Sequence, residues 1–220
     1  MTDPIRLNRE QIARLVANSL PDGAYVNLGI GIPTLIADVI PAEKEIILHS
    51  ENGVLGFGPA PAPDKIDPWL INAGKQHVTL RPGGSFFHHA DSFAMIRGGH
   101  LDLCVLGAFE VSSSGDLANW ATSERDNAPA VGGAMDLVAG TQRVWVATEH
   151  TTREGLPKLV KDCAYPLTAP GVVSRIYTNL AIIEVANGNF TVKEMIPGLT
   201  KEILQEHTGA KLLFEEVEYA

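Results

Sequence analysis

Four short apolar runs, Ala24 to Leu28, Glu45 to Leu48, Leu101 to Leu106 and Val144 to Ala147, each stop at glycine or polar punctuation and are separated by longer segments. Strands covered on both faces read as near-continuous apolar runs, and parallel neighbours need a crossover of a dozen or more residues between them. The pattern therefore predicts an α/β chain built on a parallel sheet. Ahead of the first run, Ile12, Leu15, Val16 and Leu20 recur at helical spacing from Asn8 to Leu20, and Pro21-Asp22-Gly23 stops that helix. After the first run come Gly29-Ile30-Gly31-Ile32-Pro33-Thr34, a helical pattern through Ile40 halted at Pro41, and the second run. This is a βαβ unit whose two glycine-rich loops lie at strand carboxyl ends, where open α/β sheets bind ligands.

Later segments extend the same reading. Val131 to Val138 is a glycine turn opening a short helix. Leu180 to Val185 and Phe190 to Met195 flank Asn187-Gly188-Asn189, which predicts an antiparallel hairpin late in the chain. Thr200 is placed to cap a last helix ending near Gly209. The chain of 220 residues, 45% of them hydrophobic, suffices for one core, so a single domain spanning 1–220 is expected.

Charge and composition exclude several functions. Seventeen basic against 26 acidic residues give a net charge of −9, which argues against a nucleic-acid binder needing a dense basic face. No run approaches eighteen unbroken apolar residues, and Met1 to Arg6 lacks the basic-then-apolar design of a secretory leader, so a cytoplasmic protein is expected. Cys104 lies in an apolar run and Cys163 in a polar loop, which suits ordinary reduced thiols. His88-His89 with Asp91 invites a metal reading, but adjacent histidines seldom chelate together, and no metal is assigned. Gly83-Gly84-Ser85-Phe86-Phe87 lacks the second glycine of a serine nucleophile elbow.

Among candidate site residues, Glu51 stands out. Ser50-Glu51-Asn52-Gly53 follows the second apolar run and opens the stretch Gly53 to Pro59, which reads as a glycine-rich loop presenting one carboxylate at the sheet's carboxyl edge. Locally, the plainer reading is a turn residue with Asn52-Gly53 supplying the positive-φ corner. Gly29 and Gly31 begin like a dinucleotide fingerprint, but Thr34 occupies the third glycine's place, which disfavours a nicotinamide cofactor. What survives is close backbone approach to a ligand, with Pro33 starting a helix whose free N–H groups can face an anion. Asn27 is either a buried strand amide or a site residue. Gly132-Gly133 can present paired N–H donors to an oxyanion, or can simply be a tight turn. Lys75, Arg81 and Arg97 lie in glycine-bearing segments and are candidate cations for an anionic ligand.

Six blocks, in order, carry a resemblance: V-N-L-G-I-G-I-P-T (26–34), H-S-E-N-G-V-L-G-F-G-P (49–59), L-I-N-A-G-K-Q (70–76), D-S-F-A-M-I-R-G-G-H-L-D (91–102), G-D-L-A-N-W (115–120) and G-G-A-M-D-L-V (132–138). From about Gln11 to Ala186 the chain resembles the second (β) subunit of the 3-oxoacid coenzyme A-transferases. That resemblance implies an open three-layer α/β/α sandwich with a mostly parallel sheet. It implies Glu51 as catalytic nucleophile and Asn27 as a group positioning reacting carbonyls, with Lys75 near coenzyme A and Gly132-Gly133 bordering the acyl site. Asn52, Gly29 and Gly31 join them as expected positioning residues. It also implies a separate α subunit, commonly two of each, and coenzyme A thioester as a substrate rather than a permanently bound cofactor. The blocks F-F-H-H-A-D-S-F (86–93), L-G-A-F-E-V-S (106–112) and P-A-V-G-G-A-M-D (129–136) are most similar to the 3-oxoadipate enzymes of aromatic degradation; acetoacetate-specific relatives share the core blocks.

The chemistry such an enzyme performs explains a glutamate. A side-chain carboxylate attacking a thioester keeps the acyl group activated and away from water, first as a mixed anhydride and then as a glutamyl thioester of coenzyme A. Glu51 is therefore expected to be mostly buried, with Asn and glycine N–H donors holding it as an anion. Alternatives are an acyl-CoA hydrolase on the same fold, a non-catalytic half of a heteromer, and a sugar-phosphate isomerase of similar architecture.

Overall fold

The structure, a computed structural model, describes residues 6–122 and 130–215. The chain start weighed as a leader, Met1 to Ile5, and Pro129 at the head of one of the blocks lie outside the described residues. Helix α1 (Arg9–Ser19) opens the fold. Its cap is reciprocal: the Asn8 side chain accepts from the Gln11 N–H, and the Gln11 side chain accepts from the Asn8 N–H. Strand β1 (Tyr25–Leu28) is followed by a 3-10 helix at Ile32–Asp38 and then by β2 (Ile47–Ser50), β3 (Val54–Phe57) and β4 (Leu80–Phe86). After α2 (His89–Arg97) come β5 (Leu103–Leu106), β6 (Glu110–Ser112), β7 (Leu117–Ala118), α3 (Ala134–Gly140), β8 (Val144–Ala147) and β9 (Leu159–Val160). The chain closes with β10 (Val173–Tyr177), β11 (Ala181–Ala186), β12 (Asn189–Met195), α4 (Lys201–Glu206) and β13 (Leu212–Phe214).

One ten-stranded sheet runs β13-β12-β11-β10-β8-β5-β1-β2-β3-β4, and β7-β6-β9 form a second, smaller sheet. The central strands β10, β8, β5, β1 and β2 pair in parallel. Antiparallel pairs flank them: β10 with β11 and β11 with β12 on one side, β2 with β3 and β3 with β4 on the other. Alternation along the central strands sends successive side chains to opposite faces. Leu103, Val105, Trp145 and Ala147 join the core with Ile12, Val16 and Leu20 of α1, whereas Cys104, Leu106, Val144 and Val146 join the core with Ile96, Leu137 and Leu204 of α2, α3 and α4. Helices thus cover both faces, and the expected α/β/α sandwich is observed.

Three local readings change. The helix after β1 is 3-10 and begins at Ile32, so Pro33 is its second residue; the Thr34 amide and hydroxyl both donate to the Gly31 carbonyl. With that N–H used inside the first turn, the expected open anion cradle is reduced. The second apolar run forms strand only from Ile47 and continues to Ser50, two residues later than predicted. Most consequentially, the stretch after Gly53 is a strand, not a loop. It turns back as β3 against β2, with His49 opposite Leu55 and Ser50 opposite Val54, so Glu51 sits in a hairpin turn. The late hairpin is where it was predicted, with Asn187 at φ 53° and Gly188 at φ 74° in its turn.

Candidate active site

β1 lies between β2 and β5, so the chain leaves it in one direction for β2 and reaches β5 on the other side. Loops at the carboxyl ends of two such strands diverge and open a crevice. A cavity of about 820 Å³ occupies that position. It is lined by Gly29, Ile30 and Gly31 after β1, Glu51 after β2, Gly107 to Phe109 after β5, Thr148 and Glu149 after β8, and the turn Val131 to Gly133 before α3. Of the residues singled out in the sequence, Gly29, Gly31, Glu51, Gly132 and Gly133 line this one cavity, and Asn27 touches it through Glu51.

Asn27 is fully buried on β1, opposite His49 of β2. Its side-chain Nδ2 donates to Glu51 Oε2 at 3.1 Å and to the His49 carbonyl at 3.2 Å, and lies 3.1 Å from His49 Nδ1. The carboxylate and the carbonyl are pure acceptors, so the amide must present its nitrogen to them. Asn27 Oδ1 is left as the one buried side-chain polar atom without a hydrogen-bond partner among the described residues.

The same logic fixes the imidazole. Facing an amide donor, His49 Nδ1 accepts, so its proton resides on Nε2, which donates to Ser92 Oγ at 2.9 Å. Burial pushes the His49 pKa down to about 4, so the ring is neutral at physiological pH and able to accept. Phe87 stacks at 6.0 Å on the ring. A chain of buried groups, Ser92, His49 and Asn27, therefore ends on the Glu51 carboxylate. Sequence reasoning assigned no role to His49 or Ser92. The available signal was a histidine inside an apolar strand, two residues before Glu51 and therefore on its face of the strand.

Glu51 is half-buried rather than mostly buried. A hairpin turn at the sheet's carboxyl edge has protein below it and the cavity above, so one side of the carboxylate faces the opening. Asn52 is exposed and points away: its Nδ2 donates to the Ile71 carbonyl at 2.8 Å. Together with the Ala73 N–H donating to Ser50 Oγ at 2.9 Å, it ties the loop of residues 70–77 to the Glu51 turn. Lys75, at φ 61°, lines a separate cavity of about 360 Å³ with Thr34, Asp38 and Asn72, so it shares the loop but not the Glu51 cavity. Arg97 is paired with Asp136 at 2.6 Å, and Arg81 reaches the Ile46 carbonyl; neither lines the cavity.

Gly53 is required by sterics. Its φ of 109° disfavours any side chain, and a Cβ there would sit 2.2 Å from the Phe87 carbonyl oxygen. Gly31 has the same backbone need, φ 98°, but open space above it. Gly29 lacks a side chain for a different reason than ligand approach: a Cβ would meet Leu106 at 2.9 Å.

No helix among the described residues is long and apolar enough to cross a membrane, and no cluster of metal-ligating side chains is found among them. The Cys104 thiol is pushed up to about 12 by burial, and so is that of Cys163, with the nearby Glu110 carboxylate adding to the effect.

Comparison with known proteins converges on one family. The family model described as coenzyme A transferase matches residues 9–207. The chain is 56% identical over 208 residues to the second of the two subunits of the 3-oxoadipate CoA-transferase of Acinetobacter baylyi, covering 94% of this chain and 96% of that protein. It is 47% identical over 203 residues to the corresponding subunit of the succinyl-CoA:3-ketoacid coenzyme A transferase of Helicobacter pylori, covering 92% and 97%. In fold, the acyl-CoA transferase apoenzyme of Escherichia coli O157:H7 superposes with a TM-score of 0.74 at 18% identity, over 98% of this chain and 43% of that one.

Proposed function

We propose, from the premise that this chain belongs to the coenzyme A transferase family, that it is the second (β) subunit of a 3-oxoacid CoA-transferase. It moves coenzyme A from succinyl-CoA to a 3-oxoacid, with 3-oxoadipate as the favoured acceptor and acetoacetate next. It works with an α subunit, two of each, and the names of the similar proteins, each a lettered subunit of a larger enzyme, support such a partner. The single observation that carries the reading is the Glu51 carboxylate, held by the buried Asn27 amide, at the wall of a cavity over the sheet's switch point.

From that geometry a ping-pong sequence follows. The Glu51 carboxylate attacks the thioester carbonyl of succinyl-CoA, and expulsion of the coenzyme A thiolate leaves a mixed anhydride. The thiolate attacks the Glu51 carbonyl of the anhydride; succinate leaves, and Glu51 holds coenzyme A as a thioester. The carboxylate of the 3-oxoacid then attacks that thioester, and the two steps run in reverse to release the new acyl-CoA. Each tetrahedral centre at Glu51 develops negative charge beside Asn27 Nδ2, a donor already fixed by His49 and requiring no reorganisation. The glycine turn at 132–133 offers backbone on the opposite side of the cavity.

The test is initial rates for the chain co-expressed with its α subunit, using succinyl-CoA with 3-oxoadipate or acetoacetate. Acceptor-dependent exchange with 3-oxoadipate preferred supports the proposal. Rapid thiol release without any acceptor indicates a hydrolase instead, and near-normal turnover by Glu51→Ala in the complex removes this subunit from the chemistry.

A further inference from the structure

The loop before β9 places a second charged group in the Glu51 cavity. The Lys158 ammonium is half-buried; its Nζ donates to the Ala108 carbonyl at 3.1 Å and to Thr148 Oγ1 at 3.0 Å, both uncharged oxygens. No carboxylate lies within 4 Å of it among the described residues. Glu149, the acidic neighbour that acts on it electrostatically, is engaged by Arg9 at 3.1 Å. Desolvation lowers the Lys158 pKa, the expected mark of a cation removed from water without a counter-ion. Charges in such places are ordinarily paired, and an ammonium has three donors, of which two are used here.

The topology sets its distance from Glu51. Ala108 and Thr148 follow β5 and β8, while Glu51 follows β2, and the strand order is β8-β5-β1-β2. At about 4.8 Å per strand, Lys158 Nζ lies roughly 10–14 Å along the sheet edge from the β2 terminus. An extended six-carbon diacid separates its terminal carboxyl carbons by about 6 Å, given bonds of about 1.5 Å. The Glu51 side chain and the contact distances at the two ends span the remainder.

We propose that Lys158 is the binding group for the distal carboxylate of dicarboxylic substrates, acting while their other carboxyl reacts at Glu51. This deepens the proposed function and rests on it. Lys158 thereby selects a dicarboxylic 3-oxoacid over a monocarboxylic one, because a methyl terminus leaves the ammonium without an anion.

In the assembled complex, the ratio of kcat/KM for 3-oxoadipate to that for acetoacetate should fall about 30-fold in Lys158→Met, as expected when one partner of a desolvated charge pair is lost. Lys158→Arg, which keeps the charge, should recover part of the ratio. A ratio moving less than about threefold, or both acceptors declining together, overturns the proposal. A measurement on the wild-type complex guards against misfolding of the variants. Acetic anhydride labelling of Lys158, mapped by mass, should be slowed by adipate and not by hexanoate, with the other lysines as internal standards. Equal labelling in the two acids overturns the proposal. Should the wild-type complex transfer coenzyme A to no acid at all, the proposed function fails, while protection of Lys158 by adipate remains readable on its own.

Discussion

Replacing Gly53 by alanine separates two effects that the hairpin turn imposes on one residue. The first is conformational: at φ 109° an L-residue is strained, by about 1–3 kcal/mol. The second is contact: the new Cβ would stand 2.2 Å from the Phe87 carbonyl oxygen, a backbone atom that cannot swing aside. Relief requires β3 and the segment entering α2 to part, at the expense of the Phe87 N–H bond to the Gly53 carbonyl at 3.0 Å. Overpacking of this kind costs about 1–3 kcal/mol, and the hydrogen bond adds about 1. The sum, about 3–6 kcal/mol, corresponds to a Tm lower by roughly 10–15 °C for a domain of this size. Gly188→Ala is the matched control, since Gly188 has φ 74° and nothing within 4 Å of a built Cβ. It should show the conformational part alone, about 1 kcal/mol. Urea unfolding of the purified chain measures both. If the two variants lose equal stability, the steric account of Gly53 is wrong.

Three further outcomes follow from the same structure. Glu51→Gln in the assembled complex should lower kcat by about 10³-fold or more, read as acyl-CoA exchange, because the amide cannot attack a thioester; a fall under tenfold contradicts the nucleophile. Stability should decline as pH drops from about 6.5 toward about 4: His49, and His150 with its pKa lowered to about 3 by burial, stay neutral when folded and take up protons when unfolded. Urea midpoints that are flat across that window contradict the buried neutral rings, and His49→Leu should flatten the His49 share. Cys104 and Cys163, both pushed up to about 12, should resist iodoacetamide at pH 8 in the native protein, by peptide mass, while reacting readily in urea.

The parts of the fold readable in the sequence are those whose residues respond to local physics. β5 and β8 are buried on both faces, so L-C-V-L and V-W-V-A appear as unbroken apolar runs. Asn187-Gly188 has the positive φ values that such a turn demands, and Asn8 and Thr200 cap the helices they precede. β3 and β4 escaped notice because their glycines imitate a loop. In the sheet those glycines serve close packing: a Cβ on Gly56 would lie 3.0 Å from Gly84 of the neighbouring strand. That proximity depends on pairing across more than twenty residues, which no local pattern encodes.

The site divides in the same way. Glu51, Asn27 and the glycine turns were named on family resemblance, and the fold brings most of them to one cavity. Lys75 was named too, yet its loop turns it toward a neighbouring pocket. His49 was missed although the β1–β2 register places it opposite Asn27, a relation visible only once the strands are paired. Ser92, 43 positions from His49, and Lys158, in a loop with no periodicity, meet their partners only through tertiary folding.

The central claim is that position 51 carries coenzyme A covalently during turnover. Incubating the assembled complex with succinyl-CoA, reducing with borohydride and mapping peptides by mass tests it without any variant. The account predicts that the peptide containing Glu51, and no other acidic peptide, has its carboxyl reduced to the primary alcohol, with succinate released in equal amount. An unmodified Glu51 in a preparation that turns over would contradict it.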